Sequence, residues 1–394
     1  MIYRYLILFL FVFSLSYGET FDQVLSKALQ KSPYLKAVEN QSKEVEGEVK
    51  SARSIPNPEV SLMFGRLYSQ SDESGAVLTE FSVEQPLKLW GTRKKAVEEA
   101  LTKKSAYQFM FETEKRKFIS ELYNAFYTAL FKKEVMKIKQ IEYSITKDIY
   151  RFVEKSYKLG EETKLNLFRA EKDLKVAQIE LKQAETEYNI SLKNLSSLAG
   201  FEIKDVEGEI SAVKDPIDID IDQIPQISYL KKLIETAEKG IDLQKALAKP
   251  QVSIEFAASE DEVDLGKYEF GIGIKASIPV FYRNQGEILK LIYKKKSYIN
   301  LLKQKKIYFR SKLNSLKEKY TVLTKQIQEI DRQIIPSVHN ALKLGEKSFK
   351  LKEITLFELS DLRKQFIQAL IYRAETLQQI HHTYSEYIKI GGLR

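Results

Sequence analysis

The chain of 394 residues contains no cysteine. That excludes a disulfide framework and a thiolate metal site, and it removes the residue that a lipoprotein would acylate. Proline and glycine are also scarce, at 9 and 16 residues, which suits long helices better than a compact α/β enzyme. Histidine occurs three times, as His339, His381 and His382. Neighbours on a helix point about 100° apart, so the last two are poorly placed to share a metal. There is no P-loop, no dinucleotide glycine pattern, no HExxH and no GxSxG. The expectation is therefore a protein that is not an enzyme, with no catalytic residue, cofactor or metal site.

Charge of one sign is not concentrated anywhere either. The net charge of +9 comes from 63 basic and 54 acidic residues interleaved along the chain, the pattern of a solvated helix surface, and no nucleic-acid partner is expected. Long apolar runs are missing beyond the first residues. MIYRYLILFLFVFSLSYGET opens with one Arg, an apolar run from Tyr5 to Phe13 and small residues at Ser16 and Gly18. This reads as a signal peptide, residues 1–18, with the mature chain starting near Glu19. An exported chain without a transmembrane helix is either dissolved outside the cytoplasm or inserted as a β-barrel.

What is present is a repeat. EKSYKLGEETKLNL (154–167) matches EKSFKLKEITLFEL (346–359) at 8 of 14 positions without gaps. At the same offset of 192 residues Pro58 falls on Pro250, and Pro86 meets Pro279 one residue out of register. The reading is one unit written twice, 19–199 and 226–394, joined by an acidic, turn-rich connector at 200–225. The connector's DIDID run admits hard-cation binding or simply exposed carboxylates.

Each half carries two strand-like segments, near 58–68 and 76–86, then near 251–259 and 267–279. In KYEFGIGIKASIPVFYRNQG (267–286) every second residue is apolar, from Tyr268 through Phe270, Ile272 and Ile274 to Ile278. The connections SQSDESG (69–75) and SEDEVDLGK (259–267) are polar and acidic, as hairpin tips in water should be. The rest reads as helix. Leu316, Tyr320, Leu323, Ile327, Ile330 and Ile334 follow a 3-4-3-4 spacing, as do Leu174, Ala177, Leu181, Ala184 and Tyr188. Residues 92–158 hold no Pro or Gly, enough for one helix about 100 Å long at 1.5 Å per residue.

Strands of about ten residues, greasy on one face and wet on the other, suit a membrane β-barrel. Tyr68, Trp90, Tyr268, Phe281 and Tyr282 stand where interfacial aromatics belong. Four strands cannot close a barrel and an open edge is not viable in lipid, so several copies must complete the wall.

The Pro-flanked strand pairs, SPYL (32–35) and the junctions EQPLKLWGTRK (84–94) and IPVFYRNQG (278–286) resemble the TolC-like outer-membrane efflux proteins over nearly the whole mature chain. QPLKLWGTRK looks most like the CzcC-like heavy-metal branch. The resemblance implies a mainly α protein with a membrane β-barrel: a homotrimer with one 12-stranded barrel in outer-membrane lipid and a coiled-coil α-helical barrel in the periplasm. It implies an exit duct serving an inner-membrane pump, of RND or ABC type, through a periplasmic adaptor. The adaptor-docking hairpin tips would be Lys158, Leu159, Gly160 and Glu161, and Lys350, Leu351, Lys352 and Glu353. Lys352 stands where the family has Gly. Glu358 and Asp361 match the acidic periplasmic aperture; alternatively they are an exposed helix face paired with Arg363 or Lys364. Multidrug efflux and type I protein secretion are the rival cargoes. A secreted coiled-coil structural protein or adhesin is the rival of a different class.

Overall fold

A computed structural model describes residues 18–69, 72–260 and 267–392, with the side chains of 67–78 left outside that description. The proposed signal peptide lies almost wholly outside the described residues, as does the side chain of Tyr68. In chain order the elements are α1 (Phe21–Lys31), α2 (Pro33–Arg53), β1 (Glu59–Ser69), β2 (Asp72–Leu87), α3 (Thr92–Lys158), α4 (Lys164–Ala199), α5 (Pro225–Leu247), β3 (Gln251–Glu260), β4 (Tyr268–Ser277), α6 (Gln285–Glu329), α7 (Ile335–Lys350) and α8 (Leu356–Gly391). The stretch free of Pro and Gly is indeed one helix of 67 residues. β2 starts at Asp72, earlier than expected, because its ladder with β1 continues to the Ser69–Asp72 pair. β4 stops at Ser277, just before Pro279, which has no N–H to give a ladder.

The chain forms two compact units, each drawing on both halves of the sequence. The first takes the chain up to Lys36, Lys115–Asp218 and the chain from Ser311; the second takes Ala37–Glu114 and Ile219–Arg310.

In the first unit the helical stripes meet in apolar clusters. Val24 and Ala28 of α1, Phe118, Leu122 and Phe126 of α3, and Leu192 and Leu195 of α4 are buried together with Ile203 and Val206 of the connector. The SPYL motif supplies the bend between α1 and α2. Ser32 is buried, Pro33 opens α2, where its missing N–H costs nothing, and Tyr34 stacks on Phe118 at 6.1 Å between ring centroids. A second cluster joins Phe131 and Ile138 of α3, Tyr320 and Leu323 of α6, and Ile367, Leu377 and Ile380 of α8. The α6 seam is buried as far as Ile330, but Ile334 is 41% exposed. The reason is a π turn at Ile330–Ile334, directly before Pro336. Its extra residue rotates the succeeding helix by about 100°, so the heptad reading fails at its last position.

The connector's carboxylates make local contacts. Asp222 pairs with Lys231 (2.8 Å) and Lys306 (2.7 Å), Asp220 caps a 3-10 turn at Ile221–Gln223, and Asp215 accepts from the Tyr320 hydroxyl at 3.3 Å. The two lysine ammoniums hold the Asp222 carboxyl down at about 2.

In the second unit the helices approach through small residues, Ala100, Ala106, Ala237 and Ala246 all being buried. Ion pairs tie α2 to α3 (Glu48–Lys103, 2.6 Å), α3 to α5 (Glu98–Lys239, 3.0 Å) and α5 to α6 (Glu238–Lys295). The same unit carries the sheet, antiparallel in the order β1-β2-β3-β4.

Its register sorts the side chains. Val60 pairs with Val83, Leu62 with Phe81, Val83 with Phe256, Phe256 with Ile272, Ile254 with Ile274 and Ala258 with Phe270. Directly paired residues share a face, so all of these lie on one side. The other side presents Glu59, Ser61, Glu80, Ser82, Glu84, Ser253, Glu255, Glu269 and Lys275. There Glu84 accepts from Ser253 (2.5 Å) and Lys275 (2.7 Å). The apolar face is bare: Phe64 is 73% exposed, Phe270 71%, Ile272 83% and Ile274 79%.

The two helical hairpins of the first unit divide one packing volume differently. In α3/α4, Val153 and Ala170 are buried in one cluster. The residues 192 further on are Gly345 in α7 and Leu362 in α8, and a Cβ on Gly345 would stand 2.4 Å from Leu362 Cδ1. A large–small pair has become a small–large pair. Gly345→Val should lower stability by roughly 1–3 kcal/mol through overpacking, and adding Leu362→Ala, which recreates the first hairpin's pair, should restore much of it. Thermal melts of the four proteins in detergent check the coupling; simple additivity would refute it.

Candidate functional site: hairpin tips and acidic aperture

Both tips end their helices by the same hydrogen bonds. After α3, Gly160 N donates to Tyr157 O (3.0 Å) and Glu161 N to Ser156 O (2.9 Å). After α7, Lys352 N donates to Phe349 O (3.0 Å) and Glu353 N to Ser348 O (2.9 Å). Such helix endings place one residue in the left-handed region, normally Gly. Gly160 has φ 76° and Lys352 φ 63°. The second tip thus keeps the geometry of the first without its glycine, and a lysine there stores about 1 kcal/mol of backbone strain. Lys352 Nζ lies 3.5 Å from Glu161 Oε2, joining one tip to the other. Leu159 and Leu351 project from the two tips at 65% and 70% exposure, while Lys158, Lys350 and Glu353 are exposed beside them.

Beyond each tip a threonine caps the next helix: Thr163 accepts from Asn166 N, and Thr355 from Glu358 N at 3.2 Å. Glu358 closes a capping box, its carboxylate accepting from Thr355 N (2.7 Å) and Thr355 Oγ1 (2.8 Å). Those two donations, the backbone N–H first, hold its carboxyl below the usual range. Asp361 accepts from Gln365 Nε2 at 2.7 Å. Both acids are exposed along the start of α8.

They lie on an exposed helix face, as the alternative reading has it, but neither of them pairs with Arg363. Arg363 points inward, 4% exposed, donating to Thr146 Oγ1 of α3 at 2.8 Å and lying 3.6 Å from Asp173 of α4, with its Nε unpartnered. One guanidinium therefore links three helices. The sequence carries a signal for this, since Leu356, Leu359, Arg363 and Ile367 follow the spacing of a buried stripe.

The interfacial aromatics sit in the second unit. Trp90, Phe281 and Tyr282 are exposed at the junctions where β2 gives way to α3 and β4 to α6, Phe281 almost completely at 97%; Tyr268 opens β4. Trp90 has φ 57°, donates from Nε1 to Pro250 O at 2.6 Å, and lies under Lys249 Nζ, 5.2 Å from the ring centre.

The family model for "Outer membrane efflux protein" matches residues 24–201. Cobalt-zinc-cadmium resistance protein CzcC of Cupriavidus metallidurans is 18% identical over 95% of this chain and 90% of its own length. The solved structure of CusC, described in terms of transmembrane channel formation, superimposes with a TM-score of 0.80 at 17% identity, covering 95% of this chain and 92% of that one. The outer membrane protein VceC of Vibrio cholerae does so with a TM-score of 0.76 at 13% identity, covering 95% and 97%. Residues 24–201 thus fit the outer membrane efflux protein family, and nearly the whole chain shares the fold of these two solved proteins.

Of the three histidines His381 is buried, whereas His339 and His382 are exposed. His339 lies 5.6 Å from the Phe366 ring, and His382 hydrogen-bonds Asn124 at 3.1 Å. His381 is 1% exposed and stacks on Tyr127 at 3.7 Å; its Nε2 is 2.8 Å from Ile210 O and its Nδ1 2.8 Å from the Tyr123 hydroxyl. A carbonyl only accepts, so Nε2 carries the proton and Tyr123 donates to Nδ1.

Burial depresses the His381 pKa from 6.5 to about 4. The unfolded chain therefore takes up a proton near pH 6.5 and the folded chain only near 4. The neutral ring's contribution is complete above 6.5 and is lost, by about 3 kcal/mol, as pH falls towards 4. Melting temperatures between pH 7 and 4 should drop more steeply for the wild type than for His381→Gln; parallel curves would assign the loss to other groups.

Proposed function

We propose that this protein is the exit duct of a heavy-metal efflux system, a passive homotrimeric channel joined by a periplasmic adaptor to an inner-membrane pump. The observation that carries the channel is the sheet, with one side predominantly apolar and largely exposed, the other mainly polar, and β1 and β4 leaving two open edges. Three copies pairing β1 with the next copy's β4 make a closed wall of twelve strands with lipid outside and water inside. The likeness to CzcC along nearly the whole chain favours metal cations as cargo. Residues 1–18 are read as the export signal, with the two repeats at 19–199 and 226–394 flanking the connector at 200–225.

On this reading the adaptor meets Leu159 and Leu351 as apolar anchors set among Lys158, Lys350, Glu161 and Glu353. Glu358 and Asp361 from three copies form a cation-attracting aperture, closable because like charges at close range repel. Arg363, Asp173 and Thr146 hold α8 against α3 and α4 behind that ring.

Deletion of the gene should sensitise cells to zinc, cadmium, copper or silver; sensitivity confined to dyes and antibiotics would move the cargo to the multidrug class. Leu159→Asp with Leu351→Asp should weaken adaptor binding at least thirtyfold, about 2 kcal/mol, as loss of an interface anchor does; unchanged co-purification would place docking elsewhere. Glu358→Gln retains a capping residue, so Glu358→Gln with Asp361→Asn should relieve divalent-cation block of single channels while folding is kept. Conductance and block equal to wild type would rule out the aperture.

A further inference from the structure

All four strands meet their helices at one end of the sheet: Arg53 precedes β1, Lys88 follows β2, Lys249 precedes β3 and Arg283 follows β4. Arg93 stands in the first turn of α3, beside them in sequence. All five are exposed. Some lysines of the second unit pair with carboxylates, as Lys103, Lys239, Lys295 and Lys306 do. Among the described residues none of these five does. Lys88 Nζ donates to Ser54 O (3.1 Å), Arg93 Nε to Arg53 O (2.9 Å) and Arg283 Nε to Pro279 O (3.3 Å). Those backbone bonds orient the charged groups of Lys88, Arg93 and Arg283 without pairing them with a carboxylate. The opposite end of the sheet carries the hairpin connections, whose sequences SQSDESG and SEDEVDLGK are acidic.

We propose that Arg53, Lys88, Arg93, Lys249 and Arg283 form a cationic belt that binds the phosphate groups of anionic phospholipids at the helix-side rim of the sheet. The inference rests on the reading that the apolar face of the sheet is embedded in lipid. A lipid whose chains lie against Ile274, Ile278 and Phe281 places its headgroup at this rim, where Trp90 and Tyr282 are exposed. Guanidinium forks match a phosphodiester in shape as well as charge, and basic side chains near a bilayer surface attract anionic lipid additively.

The test uses the full-length protein purified from membranes in non-ionic detergent. Thermal melting is followed with added phosphatidylglycerol, phosphatidylcholine or inorganic phosphate. Phosphatidylglycerol should bind at least about tenfold more tightly than phosphatidylcholine. That preference should shrink as salt rises and vanish when all five positions are changed to Gln. A companion protein with Arg53→Lys, Arg93→Lys and Arg283→Lys keeps the charge and should keep most of the preference. Equal response to the two lipids, or an unchanged preference in the Gln protein, overturns the belt; inorganic phosphate reproducing the whole shift overturns its assignment to lipid. Membrane fractionation separates this from the channel reading. Protein recovered free of membranes defeats the channel itself, whereas membrane-bound protein without lipid preference defeats only the belt.

Discussion

The sheet's apolar face must be kept from water, and most of the molecule is shaped by that requirement. Burying a large aliphatic or aromatic side chain contributes roughly 1.5–3 kcal/mol. Val60, Leu62, Phe64, Ile254, Phe256, Phe270, Ile272 and Ile274 together therefore forfeit about 12 kcal/mol or more when solvated, as much as the whole stability of many domains, about 5–15 kcal/mol. The polar face excludes the other simple solution, burial inside a protein core, because Glu59, Glu80, Glu84, Glu255 and Glu269 all project from it. Only a boundary between oil and water satisfies both faces. The open edges then impose a second condition, since unpaired N–H and C=O groups are not tolerated in hydrocarbon.

The helices of the two units are held differently. In the first, large buried side chains such as Phe118, Phe126, Leu195 and Ile380 form contiguous clusters. In the second, helices meet through alanines and cross-helix ion pairs, with exposed faces on either side. Partly exposed ion pairs contribute little, about 0–1 kcal/mol each. The second unit therefore depends more on the sheet and on the company the sheet keeps. A chain of this composition suits a wall, in which each element has two outer surfaces, better than a globule.

Much of this is legible in the sequence because the signals are long and periodic. Alternation over ten residues marks the strands and their faces, and the absence of Pro and Gly from 92 to 158 matches α3 to the residue. The tips are legible through the repeat, since the same short motif ends two helices with the same hydrogen bonds. Where reading fails, a local event outranks a period. The π turn before Pro336 exposes Ile334, which the heptad places in the seam. Arg363 reads as an exposed partner for Glu358 because arginines are rarely buried, whereas a hydroxyl, a carboxylate and the packing of three helices hold it inside. Lys352 is an unexpected turn residue because of its Cβ, yet the hydrogen-bond frame of the tip fixes its backbone.

The differences between the two hairpins are more informative than their likeness. The first has Gly160 at its turn, an unbroken helix leading into it, and Val153 against Ala170. The second has a strained lysine at its turn, a π turn and a proline upstream, Gly345 against Leu362, and the acidic pair Glu358 and Asp361. Each substitution moves the second hairpin away from the regular form while the capping threonine and the turn hydrogen bonds are retained at both. A duplicated chain in a cyclic assembly presents two kinds of hairpin in alternation around the ring. If the two were alike, six equivalent elements would have to move together to change the size of the opening. In the trimer proposed above, concentrating the irregular backbone and the acids in one kind would leave three regular hairpins to hold the wall while the other three differ in charge and geometry at the proposed mouth.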